Sequence, residues 1–260
     1  MKYGIEIEFK GDRRIVGNHV NRALVVAGYT EGCSVEGYNH TTPRGWKVVT
    51  DASLASGNTG AGELVSPILY DEDGLKQLEI VCKAAVEAGA TVDRQTGVHV
   101  HHDATALTVN TVRNLFKLYT AFETDIDSIM APSRRGSQTR WCKSMVKGSV
   151  EQTHHALNRA QTLREIWSVF GHDRYHKVNL DCYWRQSTVE FRQHGGSLDA
   201  EKIGAWVVLT NALINSAANT KAIRSEYKEG FRTLVRMVRK NGAKDVTRFI
   251  KKRRAELEVA

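Results

Sequence analysis

Three short segments of the chain carry ionisable side chains at alternate positions, with apolar residues between them. They are residues 3–9 (YGIEIEF), 97–102 (GVHVHH) and 188–194 (TVEFRQH). Successive side chains of a β-strand point to opposite faces, so each segment, as a strand, has one apolar and one polar face. The residues on the polar faces are Glu6, Glu8, His99, His101, Glu190, Arg192 and His194. If the strands share a sheet, these groups form a buried cluster that is costly without a cation.

The residue types of this cluster suit a hard divalent cation. Mg²⁺ prefers carboxylate oxygens and keeps coordination positions for substrate phosphates. Imidazole nitrogen, available from His99, is a ligand that Mn²⁺ and Mg²⁺ tolerate. Candidate carboxylate ligands are Glu6, Glu8, Glu63 and Glu190. Two or more such ions could bridge nucleotide phosphates during phosphoryl transfer.

Arginine side chains are available to neutralise a transferred phosphoryl group. Arg192 lies two residues from Glu190, and the basic loop 133–140 adds Arg134, Arg135 and Arg140. Guanidinium groups bind phosphate oxygens through charge-assisted hydrogen bonds. We therefore expect these four arginines near a bound nucleotide.

The elements that must position these residues mix strands and helices without strict alternation. Apolar spacing predicts helices over 15–27, 73–88, 108–130, 151–169 and from 198 onward, with two more in 228–257. Further strands are predicted at 34–38, 46–49 and 63–67, and 174–180 leads into a hairpin with 188–194. This order favours an α+β fold in which helices cover one face of a mainly antiparallel sheet.

Length and composition are typical of a globular protein. The 260 residues are 41% hydrophobic and 25% charged, with no run of about 18 apolar residues, so we expect no membrane span. The chain enters its first strand directly, so we expect no signal peptide. Cys33, Cys82, Cys142 and Cys182 fit neither a metal pair nor a disulfide framework. We expect reduced, mostly buried thiols in a cytoplasmic protein.

The net charge of +8 favours anionic partners such as a nucleotide, a nucleic acid or an acidic polymer. Part of the excess lies in the run 251–254 (KKRR), which also fits a solvated helix face. We predict a catalytic domain over 1–222 and a basic helical extension over 223–260.

Taken together, the motifs resemble those of the amidoligases, carboxylate–amine ligases related to glutamine synthetase and glutamate–cysteine ligase. The similarity covers most of residues 1–210. Each motif is short, and it is their order and spacing that are specific. They are 4–9 (GIEIEF), 46–54 (WKVVTDASL), 62–67 (GELVSP), 96–101 (TGVHVH), 175–180 (YHKVNL) and 189–192 (VEFR).

The resemblance implies a glutamine synthetase-like catalytic fold, with a curved sheet and helices on its outer face. It implies one metal held by Glu6, His99 and Glu190, and a second held by Glu8 and Glu63. His101 would lie by the nucleotide and Arg192 by the transferred phosphate, with Arg192, Glu63 and Glu190 as the catalytic residues. The relatives usually have a further glutamate at the second metal, and Asp51 is the best substitute here.

The implied reaction is ATP-dependent. ATP phosphorylates a carboxylate to an acyl phosphate, and an amine then attacks to give an amide, ADP and phosphate. The carboxylate and amine substrates stay open, and the charge leaves room for a large anionic acceptor. Three alternatives also stay open: a phosphotransferase of the same fold, a metal-dependent nuclease, and a non-catalytic nucleic-acid-binding protein.

Overall fold

A computed structural model describes residues 1–50, 60–221, 223–241 and 244–259. The chain divides into two compact units, each formed by two stretches of sequence. The first unit comprises residues 1–102 and 194–204, and the second comprises 103–193 and 205–260. The predicted domain division at residue 222 stays a prediction.

The first unit is built on a sheet whose central strand is β1 (Lys2–Lys10). Antiparallel neighbours flank it, β4 (Ala61–Val65) on one side and β6 (Gly97–Asp103) on the other. Outward from β4 come β3 (Trp46–Val49), which is antiparallel, and β2 (Cys33–Val35), which is parallel to β3. The short β5 (Leu69–Tyr70) pairs with the start of β1. The predicted, mainly antiparallel pairing is therefore present in this unit.

One face of this sheet is apolar, as the alternation predicts. Ile5, Ile7 and Phe9 of β1 are at most 1% exposed, and Val98 and Val100 of β6 are fully buried. The helices α1 (Arg13–Val26) and α2 (Asp71–Glu87) lie in this unit and contact each other. α1 also contacts β2 and β3, and α2 contacts β5.

Local sequence signals set the ends of α1. The Asp12 carboxylate accepts hydrogen bonds from the backbone N–H groups of Arg14 and Ile15, which caps the first turn. Val16, Val20 and Leu24, spaced four residues apart, form the buried stripe. Gly28, with φ of +93°, takes the left-handed conformation that ends many helices.

The second unit is largely helical. Its long helix α3 (Val109–Asp127) begins at a Thr108 cap and buries an apolar stripe that includes Leu115, Phe116 and Phe122. The other helices are α4 (Val150–Arg159), α5 (Leu163–Ser168), α6 (Tyr183–Gln186), most of α7 (Ala200–Asn219), α8 (Gly230–Lys240) and α9 (Lys244–Val259). A 3₁₀ turn occupies Pro132–Arg134. α3 contacts α4, α5 and α8, and α8 contacts α9.

The predicted hairpin is formed by β7 (Val178–Asn179) and β8 (Thr188–Gly195). A buried ionic network anchors its first strand. The Lys177 ammonium, which is fully buried, lies 2.7 Å from a Glu123 oxygen and 2.6 Å from an Asp127 oxygen, both on α3. The Lys177 carbonyl accepts the backbone N–H of Arg192 at 2.9 Å. The network therefore fixes α3 and both strands of the hairpin together.

Two details differ from the sequence expectation. The predicted helix 151–169 is broken into α4 and α5, because Thr162 caps a new helix by accepting the backbone N–H of Glu165. The strand predicted at 34–38 is shorter and ends at Val35.

None of the four cysteines, all within the described residues, forms a disulfide, and three of them are buried. Within the described residues, no helix has the length and apolar character needed to cross a membrane.

Candidate metal centre

The polar face of the first unit's sheet gathers residues from three adjacent strands. In the register of β1 with β6, Glu6 stands opposite His99 and Gly4 opposite His101. In the register of β1 with β4, Glu8 stands opposite Glu63. Directly paired residues lie on the same face, so all five ionisable side chains share one surface. We call Glu6, Glu8, Glu63, His99 and His101 the acid–imidazole cluster.

The cluster is tightly packed around the His99 ring. Its Nδ1 lies 3.2 Å from a Glu6 oxygen, and its Nε2 lies 3.9 Å from a Glu8 oxygen. His101 Nε2 lies 3.4 Å from the other Glu6 oxygen. Ligand atoms of Glu8, Glu63 and His99 all fall within 4.8 Å of one another. That spread is compatible with one ion contacting all three groups.

Backbone contacts fix the buried end of the cluster. Glu8, only 7% exposed, accepts the backbone N–H of Gly97 at 2.6 Å. Gly97 follows a turn in which Thr96 donates its hydroxyl to the Asp93 carbonyl, and the Thr96 carbonyl accepts the N–H of Gly196 at 2.8 Å. A Cβ on Gly196 would lie 1.9 Å from the Thr96 hydroxyl oxygen. The glycine therefore lets the two segments approach and keeps the Gly97 N–H on Glu8.

Electrostatics give this face a negative character. Burial by itself would raise the pKa of the Glu6 carboxyl, but His101 and His99 beside it hold that pKa well below its usual range. Glu8 and Glu63 are directly opposite each other, and like charges in that position destabilise a sheet. A divalent cation would turn this repulsion into attraction, and carboxylate oxygens with imidazole nitrogen are ligands that such a cation accepts. The donor set thus fits Mg²⁺ or Mn²⁺.

His102, the third histidine of the segment, lies on the opposite face. It pairs in register with Tyr3, and its ring is 6.4 Å from the Tyr3 ring. Burial lowers the pKa of the His102 imidazole to about 3. His102 is therefore a neutral core residue.

A basic residue that the sequence reasoning did not single out also lies on the polar face. Lys47 of β3 is 1% exposed and pairs with Val65 of β4. Two residues further along β3, Val49 pairs with Glu63, so Lys47 lies on the same face of the sheet as Glu63. Its ammonium donates to the Thr41 carbonyl at 2.7 Å and lies 4.0 Å from a Glu36 oxygen. Lys47 therefore holds the segment that contains residues 36–41 against this strand.

In the second unit, Glu190 of β8 is buried within its own set of donors. One of its oxygens accepts Arg192, and the other accepts the Asn179 amide at 2.6 Å and the Cys182 thiol at 3.5 Å. Asn179 is its register partner on β7. On the other face of β8, Val189, Phe191 and Gln193 are fully buried, as the alternation predicts.

Asn179 and Cys182 were missed by sequence reasoning. The predicted hairpin offered a signal for Asn179, because a partner strand must place one residue opposite Glu190. No local sequence pattern indicates a role for Cys182, because an isolated buried cysteine usually behaves as a small apolar residue.

Arginine and aromatic side chains of the second unit form a layered group. The Arg140 guanidinium lies 4.3 Å from the centre of the Trp141 ring, which meets the Tyr175 ring edge-on at 4.9 Å. The Arg192 guanidinium lies 5.9 Å from the Tyr175 ring. Arg140, itself exposed, is therefore linked to Arg192 through the Trp141 and Tyr175 rings. Arg135, in the same basic loop, donates from Nε to the Met130 carbonyl at 2.9 Å.

The remaining predicted positions lie as follows. Arg134, in the 3₁₀ turn, is 6% exposed, and its carbonyl accepts the Gln193 amide at 3.0 Å. The His194 ring contacts the Gly195 carbonyl at 2.7 Å. Asp51, the substitute suggested for a further acidic ligand, lies outside the described residues. The structure therefore brings Glu6, Glu8, Glu63, His99 and His101 together in one unit and pairs Glu190 with Arg192 in the other.

Comparison with protein families identifies the class to which the chain belongs. A family model described as "Putative amidoligase enzyme" matches residues 1–214, which is most of the chain. The chain therefore belongs to this amidoligase family, a class that indicates an enzyme of the ligase type. Comparison with curated proteins gives no match.

Proposed function

We propose that this protein is an ATP-dependent carboxylate–amine ligase with a glutamine synthetase-like catalytic fold. It forms an amide bond through an acyl-phosphate intermediate, and it uses two or more Mg²⁺ or Mn²⁺ ions. The observation that carries the proposal is the convergence of Glu8, Glu63 and His99 ligand atoms within 4.8 Å, in a chain that belongs to the amidoligase family.

The acid–imidazole cluster holds the metal ions in this proposal. Glu8 and Glu63 hold one ion, and Glu6 and His99 hold another, to which the family resemblance also assigns Glu190. Bound divalent ions neutralise negative charge on nucleotide phosphates. The Gly97 N–H on Glu8 fixes one carboxylate oxygen, so the other oxygen of Glu8 is presented with a defined orientation.

The arginines act on the phosphates. Arg192 neutralises the transferred phosphoryl group, and its ion pair with Glu190 sets the direction of its guanidinium. Arg140 is exposed and stacked on Trp141, so its donors are available to phosphate oxygens. We also assign Arg134 and Arg135 of the same basic loop to the nucleotide phosphates, and His101 to the nucleotide.

The reaction has two balanced steps. A carboxylate oxygen of the substrate attacks the γ-phosphorus of ATP, the bond from that phosphorus to the bridging oxygen breaks, and ADP leaves. The amine nitrogen then attacks the acyl carbon, phosphate leaves with the bonding electrons, and the nitrogen loses a proton. Since phosphate is the leaving group, no covalent protein nucleophile is needed. The chain supplies orientation and charge stabilisation.

A screen of ADP release tests the proposal. The full chain is incubated with ATP and Mg²⁺ or Mn²⁺ in the presence of amino acids, polyamines and nucleic acids, and hydroxylamine is added to trap an acyl phosphate as a hydroxamate. A ligase gives ADP release that requires a carboxylate, hydroxamate with hydroxylamine, and an amide with the true amine. A stable phosphorylated product would indicate a phosphotransferase instead, and metal-dependent nucleic-acid cleavage without ATP would indicate a nuclease.

A further inference from the structure

The net charge of the chain is confined to one segment. Residues 215–260 contain 13 of the 37 lysines and arginines and 5 of the 29 aspartates and glutamates, a net charge of +8. The preceding 214 residues contain 24 of each sign and are neutral overall. The family match ends at residue 214. The basic segment therefore lies outside the part of the chain that the family defines.

This charge is arranged as two matching stripes. Arg232, Arg236, Arg239 and Lys240 of α8 are all exposed and follow the spacing i, i+4, i+7, i+8. On α9 the exposed residues Lys244, Arg248, Lys251 and Lys252 follow the same spacing. These positions fall on one side of a helix, and eight residues span about 12 Å. We call the two sets the α8 stripe and the α9 stripe.

Acidic neighbours offset only part of the stripes. Arg232 and Arg236 both pair with Glu229, and Lys252 lies 3.9 Å from Glu256. These pairs are exposed, so each contributes little and is readily exchanged for another anion. The excess positive charge of both helices therefore faces solvent.

The apolar faces of both helices are already used within the fold. On α8, Leu234 and Val238 are fully buried, and on α9 Ile250 is 2% exposed. Within residues 215–221, 223–241 and 244–258, no large hydrophobic side chain is exposed. An interfacial helix binds a bilayer largely through an inserted apolar face, which these helices do not present, so the segment favours a partner that is bound through charge.

We propose that the α8 and α9 stripes bind the phosphodiester backbone of a nucleic acid. A duplex carries about one phosphate charge per 1.7 Å, so the 12 Å of one stripe meets roughly seven charges. Four basic residues per helix can neutralise about half of them, and the guanidinium groups can hold phosphate oxygens bidentately. The stripes contact backbone rather than base edges, so binding is insensitive to sequence. This proposal is independent of the ligase chemistry.

Fluorescence anisotropy of the full chain tests the proposal, with a labelled 20-bp DNA duplex and a labelled 20-nucleotide RNA as probes. If four phosphates are neutralised, the affinity for duplex falls about 10²-fold between 50 and 200 mM NaCl. The variant R239Q/K240Q/R248Q/K251Q removes four exposed charges that have no acidic partner within 4 Å among the described residues. We expect it to weaken binding at 50 mM NaCl at least tenfold and to flatten the salt dependence.

A matched control removes the same charge elsewhere. R22Q/K76Q/K83Q/R159Q neutralises four exposed residues within the family-matched part and should bind as the wild type does. R239K/R248K keeps the charge of the stripes and should also retain binding, which guards against a folding defect as the cause. The proposal is overturned if the wild type binds neither probe, if both quadruple variants weaken binding equally, or if only phosphatidylserine vesicles are bound.

Discussion

Replacement of Glu190 by glutamine separates a catalytic from a purely structural role for this carboxylate. Glu190 accepts donors on both oxygens, Arg192 on one and Asn179 with Cys182 on the other. A glutamine amide has one acceptor oxygen, so its NH₂ group must face one of these donors whichever way it turns. In either orientation a hydrogen bond to the charged carboxylate is lost, which costs about 1.5–3 kcal/mol of the free energy of unfolding.

That cost predicts a measurable but tolerable loss of stability. For a protein of this size, 1 kcal/mol shifts the melting temperature by about 2–4 °C, so we expect E190Q to melt roughly 3–12 °C below the wild type and to stay folded at 25 °C. The rate of ADP release should fall at least about 10²-fold, the usual effect of removing one group that stabilises transition-state charge. Differential scanning fluorimetry and a coupled ADP assay measure the two quantities.

Glu79 provides the control, because it is exposed on α2. E79Q should change stability by less than about 0.5 kcal/mol and leave ADP release unchanged. Wild-type rates of ADP release in E190Q, with an acceptor present, would refute a catalytic role for Glu190. A melting temperature equal to that of the wild type would refute the hydrogen-bonding argument.

Further predictions concern the second unit and the Thr96 turn. Lys177→Met should destabilise the protein by about 3–5 kcal/mol in urea unfolding, because it removes the cation beside the buried Glu123 carboxylate and the partly buried Asp127 carboxylate. Lys143→Met, which breaks a half-exposed pair with Asp173, should cost less than about 1 kcal/mol, and equal costs would contradict the burial argument. Burial lowers the pKa of His154, so the unfolded chain binds more protons below about pH 6.5. Stability should therefore fall as the pH is lowered from 6.5, less steeply in His154→Gln, and an unchanged slope would count against this assignment. Gly196→Ala should cost about 1–3 kcal/mol through the clash with Thr96, whereas Gly37→Ala, with open space at its Cβ, should be neutral.

The faces of the strands were predictable from sequence, but their neighbours in the sheet were not. Alternation alone placed Glu6 with Glu8 and His99 with His101, because side chains of a strand change face at every residue. The pairing of β1 with both β4 and β6 depends on contacts far apart in sequence. The opposition of Glu8 and Glu63 therefore emerges only from the structure.

The supporting residues show the same limit. Lys47 has no spacing signal of its own, and the predicted hairpin indicates that a residue lies opposite Glu190 without identifying Asn179. Both roles depend on the register of β3 with β4 and of β7 with β8. Thr162, in contrast, had a local signal: a threonine followed three residues later by Glu165 is a helix start. The break between α4 and α5 was therefore predictable from the sequence.

A titration with Mn²⁺ tests directly whether the acid–imidazole cluster binds a divalent cation. Calorimetric titration of the full chain with Mn²⁺ should show binding in the wild type and in Glu87→Gln, which alters an exposed carboxylate of α2. Glu63→Gln removes a ligand beside Glu8 and His99 and should weaken Mn²⁺ binding more than about tenfold. Equal Mn²⁺ affinity in Glu63→Gln and the wild type would show that this cluster is not the metal site.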